Sequence, residues 1–263
     1  MERRVRPPAA LQGVVAVPGD KSISHRAVLF SALAQGSARI RNFAPGQDCR
    51  STVACLRGLG VQVDEPELGV VVVHGGGLQG LREPPDVLDA GNSGTTIRLL
   101  TGVLAGQPFF SVTSGDSSLR SRPMGRIIQP LRLMGAQVWA RSGDSRAPLA
   151  VHGRPLKGAQ HRLAVASAQV KSCLLLAGLF AAGETVVQEP SASRDHTERL
   201  LRAMGAELRS EGNVVTIRPA TTLRALDIDV PGDISAAAAW LVAGAVHPNA
   251  RVTIKGVGVN PTR

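Results

Sequence analysis

The sequence predicts an α/β protein built from repeats of one βαβαββ unit. A short pattern of Leu, Arg and Gly recurs about every 70 residues, as LRGLGVQV at 56–63, LRLMGAQV at 131–138 and LRAMGAEL at 201–208. A second pattern lies upstream of each copy: a Ser/Thr-rich start, an apolar helical stretch, a Gly and a strand-like segment. Self-similarity at this spacing marks repeated supersecondary units, and chance agreement of three copies is improbable.

The order of elements within one unit follows from these two patterns. The segments SHRAVLFSALAQGSARI, SGTTIRLLTGVLAGQPFFSV and SAQVKSCLLLAGLFAAGETVV each predict a first helix that leads through Gly36, Gly106 or Gly183 into a strand. A loop bearing Asp or Arg follows. The LRxxG pattern then predicts the end of a second helix, a left-handed cap at the Gly and two further strands. A strand before the first helix completes the unit.

A fourth copy begins with DISAAAAWLVAGAVHPNARVTIKG at 233–256, which predicts a first helix and the strand after it. A second helix and the LRxxG pattern do not follow before Arg263. An apolar helix and strand edges would then lack their partners. We therefore expect three complete units plus the start of a fourth, in a fragment of a longer protein or in a chain that another component completes.

Composition excludes several classes of protein. The chain has 263 residues, of which 43% are hydrophobic and 19% charged, as in ordinary globular proteins. Its net charge of +10 comes mostly from Arg, which suits small anionic ligands or reflects codon usage, while aromatic residues at 3% argue against a nucleic-acid partner. The apolar runs are too short to span a bilayer and no secretory signal is visible, so we expect no membrane partner and a cytoplasmic location.

The cysteine and histidine patterns predict no metal centre. Cys49, Cys55 and Cys173 have no CxxC spacing and fit core positions, and the six histidines form no HxxxH or HExxH pattern. The segment VVVHGGG at 71–77 lacks the context of a nucleotide-binding loop, and we interpret it as a turn.

The chemically informative positions are the starts of the three first helices. They read PGDKSISHR, DAGNSGTTIR and ASAQVKS, in which small residues leave backbone N–H groups uncovered and a Lys or Arg follows about one turn later. Such helix starts attract anions through the N–H groups and the helix dipole. The alternative at each start is ordinary helix capping. Three equivalent starts, all supplied with basic residues, favour one shared ligand that carries several negative charges.

Five separated motifs, PGDKSISHRA, LDAGNSGTTIRLLTG, SLRSRPMGR, ASAQVKSCLLLAGL and SRDHTERLLRAMGA, resemble in this order the 5-enolpyruvylshikimate-3-phosphate synthase family of the shikimate pathway. The resemblance runs from about Pro18 to the end. It implies an inverted (inside-out) α/β barrel of two domains, each with three βαβαββ units, and ligands in the cleft between them. Residues 18–224 would form the complete first domain, a strand within 1–17 would belong to the second domain, and 225–263 would be its truncated beginning.

The resemblance also implies the reaction. Phosphoenolpyruvate would transfer its enolpyruvyl group to the 5-hydroxyl of shikimate 3-phosphate through a tetrahedral intermediate that then loses phosphate. Both substrates are polyanions, so Arg, Lys and helix N-termini are the groups that this chemistry requires. Neither a cofactor nor a metal would be needed.

Site residues are carried over from the motifs. Lys21 is expected to be the catalytic residue for proton transfer, with a pKa lowered by burial among arginines. The residues expected to bind shikimate 3-phosphate are Lys21, Ser22, Arg26, Ser167, Ala168, Gln169 and Arg194. Those expected to bind phosphoenolpyruvate are Lys21, Asn92, Gly94, Thr95, Arg122 and Gln169. Supporting roles are implied for Asp48 and Arg98. Gly94 implies that a complete version is sensitive to glyphosate, because a larger residue there crowds this inhibitor.

The family's second domain supplies an Asp for the 5-hydroxyl, a Lys–Glu pair and further arginines, none of which this sequence contains. We therefore expect the chain alone to bind shikimate 3-phosphate weakly with little turnover. The complete enzyme is expected to be a monomer, in which a separate chain could supply the second domain in trans. One alternative is a non-catalytic anion-binding fragment. Another is UDP-N-acetylglucosamine enolpyruvyltransferase. That family has Lys-Asn where this chain has Lys21-Ser22, and it has a Cys on the loop that corresponds to SGDSSLRSRPMGR, which contains none here.

Overall fold

The structure is a computed structural model that describes residues 8–263. Part of the expected 1–17 segment, residues 1–7, lies outside the described residues. The first unit contains β1 (Leu11–Ala16), α1 (Lys21–Leu33), β2 (Gln35–Arg41), α2 (Gln47–Gly58), β3 (Gln62–Glu67) and β4 (Val70–Gly76). The second contains β5 (Leu88–Asp89), α3 (Gly94–Leu104), β6 (Phe110–Ser114), α4 (Ser117–Ser121), α5 (Gly125–Leu133), β7 (Gln137–Ala140), the short turn α6 (Arg141–Asp144) and β8 (Arg146–His152).

The third unit and the start of the fourth follow the same plan. The third contains β9 (Leu156–Lys157), β10 (Gln160–Arg162), α7 (Ala168–Gly178), β11 (Ala181–Ala182), β12 (Thr185–Gln188), α8 (His196–Ala203), β13 (Leu208–Glu211) and β14 (Val214–Ile217). The fourth contains β15 (Ile228–Asp229), α9 (Ile234–Val246) and β16 (Ala250–Lys255). The predicted order of elements is therefore present in all three units.

The repeated LRxxG pattern ends the second helix of every unit in the same way. The glycines that end these helices are Gly60, Gly135 and Gly205, with φ of 83°, 90° and 95°. The N–H of the residue after each Gly bonds back to the carbonyl of the repeated Leu, at 3.0, 3.0 and 2.9 Å. The repeated Arg donates to a carbonyl of the next strand, at Val63, Val138 and Leu208. These Schellman caps confirm the predicted helix ends and give the repeated Arg a structural role.

Each unit supports a four-stranded sheet with one strand order. The orders are β15-β2-β4-β3, β5-β6-β8-β7 and β10-β12-β14-β13. In each sheet the first pair is parallel and the other two pairs are antiparallel. This shared topology is the structural counterpart of the sequence repeat.

The first and fourth units exchange their leading strands. β1 precedes α1 in the chain but pairs in parallel with β16, whereas β15 precedes α9 but pairs in parallel with β2. Strand β15 therefore completes the first sheet although it lies beyond residue 224, where the first domain is expected to end. The pairings connect residues 11–16 with the fourth unit and residues 228–229 with the first.

Two turns of identical sequence carry the chain between these sheets. VPGD occurs at 17–20 and again at 230–233, and the two glycines form an antiparallel bridge. The N–H of Asp20 donates to Pro231 O and the N–H of Asp233 donates to Pro18 O, each at 2.8 Å. A Cβ on Gly19 would lie 1.8 Å from Asn42 O, so the first turn accepts only glycine at this position.

The interpretation of 71–77 as a turn is wrong for most of that segment, because β4 continues to Gly76. A Cβ on Gly75 would lie 2.1 Å from Ser31 O and 2.3 Å from Ala34 O. The glycines therefore allow the strand to pass directly against the end of α1, and a Gly-rich strand resembles a turn in sequence.

The core consists of the first helices, the buried faces of the second helices and the sheet faces beneath them. Cys49, Cys55 and Cys173 are buried there, as predicted, and burial raises the pKa of each thiol to about 12. In contrast, α9 exposes much of its apolar surface, with Trp240 40% and Val246 76% exposed. Among residues 8–263, we find no helix with the length and apolarity that a membrane crossing requires.

Candidate functional site

The first helices begin with capping side chains, as the capping alternative requires. Asp20 Oδ1 accepts from Ile23 N at 2.9 Å, Ser93 Oγ from Thr96 N at 3.1 Å, and Ser167 Oγ from Val170 N at 3.5 Å. Each cap serves one N–H group, whereas the first four N–H groups of an α-helix have no acceptor within the helix. Capping therefore leaves donors for an anion, and the two interpretations are compatible.

Side chains join the helix starts of the second and third units. Arg98 Nη1 donates to Gln169 Oε1 at 2.5 Å, and Gln169 Nε2 donates to Thr95 Oγ1 at 2.9 Å. A Cβ on Gly102 would lie 2.2 Å from Cys173 O, so α3 and α7 approach at backbone distance just behind these contacts. Three of the expected site residues, Thr95, Gln169 and Arg98, thus lie together.

The start of α1 is joined to both neighbours. Arg194 Nη1, in the third unit, donates to Ser22 Oγ at 3.3 Å. On the other side a buried contact links His25 Nδ1 to Thr52 Oγ1 at 2.7 Å, and Thr52 Oγ1 to Thr96 Oγ1 at 2.6 Å. The starts of α3 and α7 are therefore in direct contact, and the start of α1 is linked to the third unit through Arg194 and to the second through Thr52 and Thr96.

Lys21 lies at the surface of these linked helix starts. Its Nζ is 2.9 Å from Asp48 Oδ2, and 53% of its side chain is exposed. The expectation that Lys21 is buried among arginines is wrong, because its position on the first turn of α1 directs it outward. Asp48, expected to play a supporting role, contacts the predicted catalytic residue directly.

Arg26 lies behind the helix starts rather than on them. It is buried, and it donates to Thr197 Oγ1 at 2.7 Å, Ser172 Oγ at 2.8 Å and Ser22 O at 2.9 Å. Burial lowers the pKa of its guanidinium to about 10. Arg26 thus connects α1 with α7 and α8, and direct contact with a substrate stays a prediction.

The phosphoenolpyruvate residues expected on the second unit cluster around the start of α3. Arg122 Nη2 donates to Asn92 Oδ1, and Asn92 Nδ2 donates to Asp116 Oδ2 at 2.7 Å. A Cβ on Gly94 would lie 2.7 Å from Arg98 Nη1 and 3.2 Å from Arg122 Nη1. Glycine therefore allows both guanidinium groups to lie against the helix start.

These arginines carry positive charge without acidic partners. Burial, followed by the charges of Arg126 and Arg122, lowers the pKa of Arg98 to about 10. Arg26, Arg98, Arg122 and Arg194 form no ion pair within 4.0 Å across residues 8–263. Clustered cations that form no direct ion pair suit an anionic ligand.

Lys171 does not contribute to this charge, contrary to the expectation from its motif. Its Nζ lies 2.7 Å from Glu189 Oε2 and 2.7 Å from Glu198 Oε1, with all three side chains at most 4% exposed. Sequence reasoning missed both glutamates. Their position on either side of the SASRDHT loop, in an Arg-rich unit, was the available signal.

Comparison with known proteins decides the family. Residues 5–263 match the family model described as EPSP synthase (3-phosphoshikimate 1-carboxyvinyltransferase). The chain belongs to the EPSP synthase family. It is similar to the EPSP synthase of Acinetobacter baumannii, with a TM-score of 0.92 and 47% identity over 97% of this chain and 57% of that chain. This likeness confirms the inverted α/β barrel of βαβαββ units.

Curated relatives in the family are named 3-phosphoshikimate 1-carboxyvinyltransferase. That of Chloroflexus aggregans is 58% identical over 97% of this chain and 60% of the relative. That of Desulforamulus reducens is 54% identical over 100% of this chain and 61% of the relative. The chain therefore spans about 60% of the length of the curated relatives it matches.

Proposed function

We propose that this chain provides the face that binds shikimate 3-phosphate and phosphoenolpyruvate in an enolpyruvyltransferase of the shikimate pathway. The observation that carries the proposal is that side-chain contacts link three helix starts, one from each unit, beside arginines that form no ion pair. A ligand with several negative charges would receive N–H donors from the helices and charge-assisted bonds from the arginines. Membership of the EPSP synthase family supports the identity of the two substrates.

Shikimate 3-phosphate would bind between the first and third units. Its phosphate would accept hydrogen bonds from Ser167 and Ala168 at the start of α7 and from Arg194 on the loop before α8. Ser22 supports this placement, because it already contacts Arg194 at 3.3 Å. Gln169 and Lys21 would contact the ring, and Arg26 would hold Ser22 in place through its carbonyl.

Phosphoenolpyruvate would bind at the start of α3. Asn92, Gly94 and Thr95 would offer polar groups around the helix N-terminus, and Arg122 would pair with the phosphate or carboxylate. Gln169 bridges to this group through Thr95, so it would touch both substrates. Arg98 would orient Gln169 and add positive charge beneath the site.

The chemistry would proceed by addition and elimination. The 5-hydroxyl of shikimate 3-phosphate would give its proton to the Asp that the second domain of this family supplies, while its oxygen adds to C2 of phosphoenolpyruvate and C3 receives a proton from Lys21, which gives a tetrahedral intermediate. Loss of a proton from C3 then forms the new double bond as the C2–O bond to phosphate breaks. Lys21 would transfer the proton, with Asp48 holding its ammonium group at 2.9 Å.

The domain arrangement is part of this proposal. Residues 18–224 would form the first domain, with β15 added to its first sheet, while 1–17 and the rest of 225–263 would belong to the second. The apolar surface of α9 would be covered by the rest of that domain, in the same chain or supplied in trans, in a cytoplasmic monomer. The parallel pairing of β1 with β16 supports this division.

Titration calorimetry tests the binding half of the proposal. Shikimate 3-phosphate should bind the chain at one site, and shikimate, which lacks the phosphate, should bind at least about tenfold more weakly because charge-assisted bonds are lost. Equal affinity for the two ligands, or no binding of shikimate 3-phosphate, would overturn it.

A complementation assay separates an enzyme from a non-catalytic anion-binding fragment. The chain is mixed with the 40% of the Chloroflexus aggregans relative that lies outside the match to this chain, and phosphate release is measured with both substrates. We expect turnover in the mixture that neither component shows alone. Binding of shikimate 3-phosphate without turnover in the mixture would favour the fragment.

A further inference from the structure

The buried group formed by Lys171, Glu189 and Glu198, which we call the Lys171 triad, lies behind the third helix start. The ammonium group bridges the two carboxylates at 2.7 Å each. It adjoins a cavity of about 170 Å³ beside the loop that carries Arg194. Two carboxylates and one ammonium group leave a net negative charge, which requires close hydrogen bonding to be tolerated in the interior.

Glu189 contacts both elements of the proposed phosphate site. Its Oε1 accepts from the backbone N–H of Ser167 at 3.0 Å, immediately before α7. Its Oε2 accepts from Ser193 Oγ at 2.8 Å, next to Arg194. Lys171 Nζ reinforces the second contact through Ser193 O at 3.4 Å. One carboxylate thus fixes the helix start and the arginine loop relative to each other.

We propose that Glu189 is a positioning residue for shikimate 3-phosphate. It orients Ser167 and Arg194 so that they bind this ligand, and Glu189 does not touch the ligand itself. This inference rests on the proposed function of the site. Because both groups are fixed before the ligand arrives, binding does not have to order them. The entropy cost of binding is then smaller, and the affinity is higher.

Glu198 provides a matched comparison within the same triad. It contacts Lys171 through Oε1, but its Oε2 is buried with no hydrogen-bond partner among the described residues. Glutamine at 198 can therefore direct its carbonyl to Lys171 and its NH₂ to the unpartnered side. At 189 both oxygens accept from donors, so glutamine there must direct an NH₂ group at a donor.

Calorimetry with shikimate 3-phosphate on the 263-residue chain tests the inference through Glu189→Gln and Glu198→Gln. We expect the dissociation constant to rise roughly tenfold for Glu189→Gln, since charged hydrogen bonds are lost, and to change less than about twofold for Glu198→Gln. If Glu189 served only to neutralise Lys171, both variants would weaken binding equally, and that result would overturn the inference.

Ser193→Ala keeps the test decisive where Glu189→Gln fails to fold. It removes the bond from the loop to Glu189 and leaves the buried charges unchanged, so affinity should fall about threefold, in line with one neutral hydrogen bond. If Ser193→Ala and Glu189→Gln both bind shikimate 3-phosphate with unchanged affinity, the positioning role is refuted and the proposed function is not. Failure of the unmodified chain to bind would instead refute the proposed function on which it rests.

Discussion

Arg194 Nη1 lies 3.3 Å from the Oγ of Ser22, although 172 residues of sequence separate the two. Ser22 belongs to the first turn of the first unit, and Arg194 to the loop before the second helix of the third. Their contact links the start of α1 to the third unit, and the bond between Gln169 and Thr95 links the third unit to the start of α3. Under the proposed function, the equivalent helix starts of the three units would direct their donors at one shared ligand.

Replacing Arg194 tests whether its charge serves the ligand. Arg194→Gln should raise the dissociation constant for shikimate 3-phosphate by roughly tenfold or more, because a charge-assisted bond to phosphate is lost. The matched control is Arg218→Gln, which removes an exposed arginine that pairs with Glu184 and Glu207. Calorimetry should show the control within about twofold of the unmodified chain, and equal effects would contradict the assignment.

Gly94→Ala separates binding from stability. The new Cβ would displace the ends of two flexible guanidinium groups, at 2.7 Å from Arg98 and 3.2 Å from Arg122. We expect thermal stability to change by less than about 1 kcal/mol, while affinity for phosphoenolpyruvate in the complemented enzyme falls.

Gly46→Ala is the control, since nothing lies within 4 Å of its Cβ position.

In the complemented enzyme, glyphosate should compete with phosphoenolpyruvate when Gly94 is present. Inhibition that phosphoenolpyruvate does not relieve would contradict the expected sensitivity.

Gly102→Ala should destabilise the fold. The added Cβ would lie 2.2 Å from the backbone oxygen of Cys173, so α3 and α7 must separate at a cost of about 3 kcal/mol. Gly244→Ala, in the exposed α9, meets its nearest atom at 3.8 Å and should stabilise by up to about 1 kcal/mol. Urea unfolding measures both, and similar effects would show that the helix approach is looser than described.

Stability should fall as the solution becomes acidic, in part because of His25. Burial, followed by the charge of Arg26, lowers the pKa of His25 from 6.5 to about 3. Between those values the unfolded chain binds a proton that the folded chain does not, so the free energy of unfolding decreases as pH falls. The contribution is at most about 1.4 kcal/mol for each pH unit.

Unfolding of His25→Asn between pH 7 and 4 should show a shallower decrease than the unmodified chain. Burial also lowers the pKa of His161 and His196, so part of the decrease should remain. His152→Asn, on an exposed strand position, controls for the substitution itself. Parallel curves for the unmodified chain and His25→Asn would contradict the assignment to His25.

The helix ends and unit order were predictable from sequence because they depend on local interactions. A Gly with positive φ follows each LRxx segment for the same reason in every unit. The exchange of β1 and β15 was not predictable from the residues, since each precedes a similar helix and the VPGD turns are identical. Only the three-dimensional pairing distinguishes which sheet each strand joins.

The positions of the candidate site residues could be proposed from sequence, whereas the burial and ion pairing of its charged side chains could not. Lys171 and Lys21 both follow helix starts, yet one is buried between two glutamates and the other is paired with Asp48 at the surface. The glutamates lie 18 or more residues away from Lys171 in sequence, at positions 189 and 198. Burial and pairing of this kind depend on tertiary packing, which a local pattern does not contain.

A crystal structure of the chain with shikimate 3-phosphate tests the shared site most directly. We predict one molecule whose phosphate lies within about 3.2 Å of donors from Ser167, Ala168 and Arg194 and which also contacts Ser22, so that the first and third units hold it together. A molecule that contacts a single unit, or one bound away from the three helix starts, would contradict this account.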